Sequence, residues 1–361
     1  MNHLVSNAPG RVCLFGDHQD YLELPIIACA INRMMRLDAY ENGCDYFEIN
    51  MPDMGMQRII PIHQDSTKPE RGDFLKTALK VLSKREIIPT KGYRLTIKSD
   101  IPINAGLSSS SALTIAWIQF LIKAFSDQSF SAKELALMAY ETEVIEQGSS
   151  GGKMDQFTIA MGNTIFLDTH TDEVQSFSNL DLNLVVGVSG LGKDTFGTLS
   201  HLKTNALKSI EKVKEKYPKF DVTLCQPSEI DSYMELLEDD LKPFFHAAVG
   251  NHNITQKALI ALKNDPTNLE QIGHLMDEHH HFLKNYLKIT PPLMDQMVDA
   301  AKAAGAMGCK IVGSGGGGCI VAICPNKHSE KIVHAIKASG AADAFAVKII
   351  HGASLKQIEN D

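Results

Sequence analysis

Alternating and helically spaced apolar positions divide the chain into short strands and longer amphipathic helices. Val5 to Leu14 reads as a strand ending at Gly16, followed by a polar loop, Asp17 to Tyr21, and an apolar run from Pro25 to Ile31. Leu37 to Met51 reads as an alternating strand or as a hairpin around Asn42-Gly43. Phe74 to Ser83 has helical spacing, and Gly92 to Ser99 is a strand. That strand delivers a Pro-Gly turn whose four serines, Ser108 to Ser111, open a long apolar helix. Ser131 with Glu134 forms a capping box for a helix running to about Gln147. Gly148 to Gly152 breaks it, and Met154 to Met161 resumes the helical period.

The chain turns polar around Asp168 to Asn179, which predicts a domain boundary and two domains, residues 1–178 and 179–361. Asp181 to Val188 follows as a strand. Helices are predicted over Thr195 to Lys216, Glu229 to Leu237, Asn251 to Lys263, Asn268 to Lys284 and Pro292 to Ala304. A glycine-rich strand-loop-strand, Cys309 to Cys324, and a helix-strand pair close the chain. Strands interleaved with helices, without regular βαβ spacing, predict an α+β fold.

Composition adds limits. At 361 residues, 44% hydrophobic and 22% charged, the chain can build a globular core, and two domains are expected. A net charge of −8 disfavours nucleic acid as the main partner. The basic stretch Lys203 to Lys216 alternates with acids and apolar residues, as on a solvated helix face. Cys13, Cys29, Cys44, Cys225, Cys309, Cys319 and Cys324 form no C-x-x-C pair, which fits reduced thiols. No signal-peptide pattern opens the chain, and Ala112 to Phe125 is too short to span a bilayer. A cytoplasmic protein with no membrane partner is expected, as monomer or homodimer.

Three constellations carry chemistry. In the serine turn, a helix N-terminus presents N–H groups without intrahelical partners. Gly106 permits close backbone approach, and the serines add hydroxyls without bulk. This suits a phosphate; a helix cap needs only one serine. After Gly10-Arg11, the turn packs Asp17, His18, Asp20 and Tyr21 together, a density of donors and acceptors suited to a polyhydroxylated ligand. Without a second histidine at helical spacing, His18 makes a poor zinc site. Glu143 and Asp155 flank the Gly148–Gly152 break, so one acid can face a metal and the other a substrate. Magnesium accepts such sparse carboxylate ligation. The alternative for Glu143 is a surface acid beside Glu141 and Glu146.

The glycine run Gly313 to Gly318 lies between two apolar strands and implies close backbone approach; the alternative is a loose hairpin tip. Gly187 to Lys193 fits Gly-x₄-Gly-Lys, but Asp194 stands where a P-loop needs Ser or Thr, so it is rejected. Asp277 to His281 resembles a metal tract; consecutive helical residues spread around the cylinder, and a solvated face is expected.

In this order the motifs resemble the GHMP kinase superfamily, whose members are ATP-dependent small-molecule kinases without a Walker-type loop. Gly10-Arg-Val-x-Leu-x-Gly-Asp-His-x-Asp-Tyr21, Gly106-Leu-Ser-Ser-Ser-Ser-Ala-Leu113 and Met154-Asp-Gln-Phe157 are most similar to galactokinases. The resemblance implies a two-domain fold, ribosomal protein S5 domain 2-like then ferredoxin-like, with the active site in the cleft between them. It implies ATP and Mg²⁺ as cofactors and phosphorylation of a small sugar to a sugar 1-phosphate. Asp155 would be the base or orienting acid, and Arg11 would stabilise the transferring phosphoryl charge. Gly106, Leu107 and Ser108 to Ser111 would hold the ATP phosphates. Ser109 (or Ser108 or Ser110) and Glu143 would hold the metal. Asp17, His18 and Asp20 would bind sugar hydroxyls, with Gly152 against the ring.

Departures from the galactokinase pattern weaken galactose as the substrate. Asp17 stands where Glu is usual, and Cys13 where Asn is usual. Leu22-Glu-Leu-Pro25 replaces a Gly-Gly, and Leu199 to Lys203 lacks the Tyr-Asn-x-Arg-Arg pattern. The glycine run looks more like that of mevalonate kinases. A mevalonate-type kinase and a catalytically inactive relative that binds sugar and nucleotide are the alternatives.

Overall fold

The computed structural model describes residues 3–62, 69–178, 180, 182–192 and 195–358. Two sheets organise them. The larger has eight strands, with a main path β12-β1-β2-β5-β3-β4, β6 attached to β2, and β7 attached to β6. Its members are β1 (His3–Phe15), β2 (Ile26–Glu41), β3 (Tyr46–Met51), β4 (Met56–Pro61), β5 (Tyr93–Ser99), β6 (Thr164–Asp168), β7 (Glu173–Phe177) and β12 (Ser354–Ile358).

The alternation over 37–51 is real, but Asn42-Gly43 does not close a hairpin. β5 enters between β2 and β3, antiparallel to the first and parallel to the second. β3 pairs instead with β4, and both edges of β5 are thereby covered.

The serine helix α2 (Ser109–Phe125) packs on the sheet beside α1 (Phe74–Ser83), α3 (Ala132–Tyr140) and α4 (Met154–Met161). Trp117 is fully buried among Phe47 and Phe120, and its indole N–H donates to the Leu75 carbonyl at 3.0 Å. Ser131 and Glu134 form the expected capping box at α3. Beyond Tyr140 that helix widens into a π-helical turn, Glu141–Ile145, in which Glu146 N–H donates to the Glu141 carbonyl. The extra residue changes which side chains face inward.

The second sheet, order β11-β8-β10-β9, is antiparallel throughout. It comprises β8 (Leu184–Val188), β9 (Gly308–Val312), β10 (Cys319–Ile323) and β11 (Asp343–Val347). Helices α5 (Thr195–Lys216), α6 (Ile230–Met234), α7 (Lys242–Asn264), α8 (Leu269–Asn285) and α9 (Pro292–Ala303) precede β9, and α10 (Ser329–Ala338) follows β10. This is the ferredoxin-like β-α-β-β-α-β order with extra helices in its first crossover. α7 starts nine residues before the predicted Asn251, because Pro243 at its first turn is tolerated there.

The predicted boundary includes Asn179, and the excluded P-loop turns on Lys193 and Asp194; these positions lie outside the described residues. β12 was not anticipated: it returns to the first sheet and pairs with β1 from His3↔Ile358 to Asn7↔Ser354. Among the described residues no helix is long and apolar enough to cross a membrane.

The histidine tract corrects its expectation. α8 packs against both β9 and α7, so only part of it meets solvent. His279 is 0% exposed and lies 6.3 Å from the Phe15 ring, and His280 is also buried. Burial, reinforced by Lys310, pushes their pKa values down to about 3 and about 4.

Candidate active site

Four segments converge on a cavity of about 260 Å³: the end of β1 with its turn, the serine loop, residues 149–156, and Gly313-Ser314. Arg11, Asp17, His18, Asp20, Gly106, Ser108 to Ser111, Glu143, Gly152 and Asp155 all line it. Leu107 lies just beneath, fully buried, and its carbonyl accepts from Arg11 N–H at 3.2 Å. The cavity therefore gathers residues that are far apart in sequence.

Arg11 and Asp155 form its centre. Arg11 Nε and Nη2 each lie 2.7 Å from Asp155 Oδ1, and Nη1 donates to the Gly106 carbonyl. Burial opposes the Arg11 charge, but Asp155 outweighs it and holds the guanidinium above its ordinary pKa. Asp155 Oδ2 accepts from Ser108 Oγ at 2.6 Å. Asp155 keeps 29% of its side chain exposed against 5% for Arg11, so the acid is the partner that faces the cavity.

Ser108 departs from a simple helix cap. It adopts a left-handed conformation, φ +60°, and its hydroxyl goes to Asp155 rather than to the first turn of α2. Ser108 makes no side-chain cap on that helix, and Ser109, Ser110 and Ser111 of its first turn line the cavity. An uncapped N-terminus lined by hydroxyls fits a polyphosphate.

Glu143 sits on the inner side of the π-turn. Ser111 Oγ donates to it at 2.7 Å, Thr114 Oγ1 at 2.9 Å and Gln156 Nε2 at 2.5 Å. Burial pushes its pKa up to about 7; the three hydrogen bonds oppose the shift and the charge of Asp155 adds to it. A desolvated acid whose hydrogen-bond partners among the described residues are all neutral fits a divalent metal. Among the described residues no group of three or more His, Cys, Asp and Glu is arranged for one. The donor set is thus sparse and oxygen-based, as magnesium accepts. The serine hydroxyl that meets Glu143 belongs to Ser111, while Ser109 lines the cavity nearby. Glu141 and Glu146 point outward to Lys80, Lys84 and Arg85.

The β1 turn supplies the other wall. His18 has φ +63°, and its Nδ1 lies 3.0 Å from the Tyr21 hydroxyl. Asp20 accepts from the N–H groups of Tyr21 at 3.0 Å and Met154 at 3.3 Å. Burial, with Asp155 close by, raises its pKa to about 6. A Cβ on Gly152 would fall 2.2 Å from the Asp20 carboxyl carbon, so that glycine is needed for the acid to fit. Asp17 is 1% exposed and is held by Lys310 and Gly313.

Sequence reading did not single out Thr114, Gln156 or Lys310. Thr114 follows Ser111 by one helical turn, Gln156 adjoins Asp155, and Lys310 interrupts an apolar strand; those are the signals that could have found them.

Models of known families match the chain in three places. The galactokinase galactose-binding signature matches residues 2–37, the GHMP kinases N terminal domain residues 73–163, and the GHMP kinases C terminal region residues 257–342. The chain belongs to the GHMP kinases.

Similar GHMP kinases divide between two activities. Mevalonate kinase of Pyrococcus furiosus is 26% identical across 98% of this chain and 99% of its own. Galactokinase of Clostridium perfringens is 28% identical across 90% of this chain and 87% of its own. Among solved structures, Lactococcus lactis galactokinase complexed with galactose superposes with TM-score 0.87 at 22% identity, covering 98% of this chain and 95% of that one. Methanococcus jannaschii mevalonate kinase gives 0.72 at 21% identity, covering 97% and 99%. The two-domain α+β fold is that of both groups.

Proposed function

We propose that this GHMP kinase transfers a phosphoryl group from ATP to the anomeric hydroxyl of a small sugar, giving a sugar 1-phosphate. The observation that carries the reading is the charge of the cavity wall. Asp20, Glu143 and Asp155 face it while Asp17 is already paired with Lys310, and among the described lining residues the one Lys or Arg is Arg11, already committed to Asp155. A neutral polyol can use such acids as hydroxyl acceptors. A hydroxy acid such as mevalonate would bring its carboxylate against them without a cation to receive it.

Phosphoryl transfer depends on positioning and charge neutralisation more than on covalent chemistry. When bound, ATP supplies the phosphoryl group and Mg²⁺ offsets its negative charge. The N-terminus of α2 and the serines Ser108 to Ser111 would hold the phosphates, and Glu143 with a neighbouring serine hydroxyl, Ser109 foremost, would hold the metal. His18 and Asp20 would bind acceptor hydroxyls, with Gly152 leaving room for Asp20. Asp155, oriented by Arg11 and Ser108, accepts or directs the proton of the reacting hydroxyl, a role worth about 10²–10⁴-fold. Arg11 offsets charge on the phosphoryl group in flight. The convergence of Arg11, Asp155 and Glu143 on one cavity supports an active enzyme over an inactive relative. The described cysteines are all free, which supports a reducing, cytoplasmic location.

The glycine run and the Pyrococcus relative favour a mevalonate-type activity as the second reading. An ATP-consumption screen over hexoses, amino sugars, uronic acids, heptoses and mevalonate separates the two, with phosphorus NMR locating the product phosphate. A neutral sugar carrying an anomeric phosphate is the expected result. Mevalonate as the preferred acceptor overturns it.

A further inference from the structure

Lys310 lies in β9 with none of its side chain exposed. Its ammonium group has three acceptors: Asp17 Oδ2 at 2.5 Å, the Ile311 carbonyl at 2.7 Å and the Cys13 carbonyl at 3.1 Å. The second oxygen of Asp17 accepts from Gly313 N–H at 2.7 Å. Cys13 and Asp17 belong to β1 and its turn, whereas Lys310 and Gly313 belong to the second sheet and its glycine loop. One lysine therefore grips both ends of the segment 13–17 from the opposite half of the molecule.

The neighbours of this grip are the site itself. Arg11 lies two residues before Cys13, and His18 and Asp20 follow Asp17 directly. Gly313 packs on the serine loop so closely that a Cβ there would lie 3.3 Å from the Gly106 carbonyl oxygen. Buried His279 is held neutral, so it does not compete with Lys310 for the Asp17 charge. A fully buried ion pair is seldom more stabilising than an apolar pair of the same shape, because both charges must be desolvated. Stability alone is thus a weak reason to place a lysine here.

We propose that Lys310 is a positioning residue for the transfer: it takes up the Asp17 carboxylate at the cavity wall, makes it a strut between the two sheets, and fixes the β1 turn relative to the glycine loop. Acceptor hydroxyls are then read by His18 and Asp20, not by Asp17. This assignment rests on the reading that the acceptor lies against the β1 turn.

The test is the double variant Lys310→Met with Asp17→Asn, which removes both charges and nearly keeps both shapes. The asparagine carbonyl can still accept from Gly313. Three quantities are measured on the full chain: melting temperature, steady-state constants for ATP and for whichever acceptor the wild type uses, and hydrogen exchange by segment. A folded protein is expected, with kcat/KM for the acceptor down at least about tenfold and KM for ATP within about twofold. Exchange should accelerate in residues 13–21 and 313–318 and stay unchanged in β3 and β4. Unchanged exchange in the two segments, or equal losses for both substrates, overturns the proposal. Should the double variant not fold, Asp17→Asn alone is read by the same criteria. If the wild type phosphorylates no sugar, the proposed function fails, while the exchange measurement still decides the role of Lys310.

Discussion

Asp17 and Glu143 are buried carboxylates on opposite walls of one cavity, and their proton affinities move in opposite directions. Burial raises both. At Asp17 the charge of Lys310 and the Gly313 N–H overcome it, and the pKa falls to about 2. At Glu143 the partners are Ser111, Thr114 and Gln156, all neutral, and the pKa rises to about 7. Depth is the same; the nearest cation differs. The first acid is finished as a structural element, whereas the second lacks a counter-charge and is suited to receive one.

The strongest way to break this comparison is to remove the cation from the finished side. Lys310→Met leaves Asp17 buried and unpaired and should cost about 3–5 kcal/mol of stability in guanidinium unfolding. A loss below about 1 kcal/mol would mean that the pair does not define that wall. Next, Asp155 is held by Arg11 and Ser108 rather than by the partners of either wall. Asp155→Asn should lower kcat at least about a hundredfold in a chain that still folds, with some loss of melting temperature because Arg11 loses its counter-charge; near-normal turnover would remove Asp155 from the chemistry.

On the other wall, Glu143→Gln should change stability by about 1 kcal/mol or less without metal, since no buried ion pair is broken. It should raise the magnesium concentration for half-maximal activity about tenfold. An unchanged magnesium titration would leave Glu143 as a hydrogen-bond hub only.

The smallest effect concerns acid. His279 and His280 bind protons less readily folded, at about 3 and about 4, than at their ordinary 6.5. At these two residues the unfolded chain therefore holds more protons across that window, and their contribution to stability falls as pH drops from 6.5 towards 3, while Glu143 and Asp20, with raised pKa values, contribute in the opposite sense. Asp17 adds its own loss lower still, between 3.8 and about 2. His279→Phe, which keeps a ring against Phe15, should flatten the slope between pH 6.5 and 4. An unaltered slope would show that another group titrates there.

Local signals were the most legible. The bounds of α1 and α5 follow from apolar spacing, and the Ser131 box marks the start of α3. The serine turn, Arg11 and the acids could be picked out because their chemistry is unusual for a turn or a strand. Long-range pairing was not legible: nothing near Asn42-Gly43 announces that β5, far along the chain, will enter between β2 and β3. The inward face of the π-turn was hidden for a related reason, since one extra residue shifts every later position around the axis. Lys310 escaped because a lone strand lysine usually points to water; here the approach of the β1 turn supplies its acceptors.

The pairing of β12 along β1 makes residues 354–358 a guard for the strand that carries Arg11. Stripped of those last described residues, β1 would offer a bare row of amide and carbonyl groups to any passing chain, an invitation to self-association. A tag or fusion joined after Ile358 therefore pulls on the seam with β1, the strand that also carries Arg11, and linker length at that end becomes a variable of protein quality as well as of convenience.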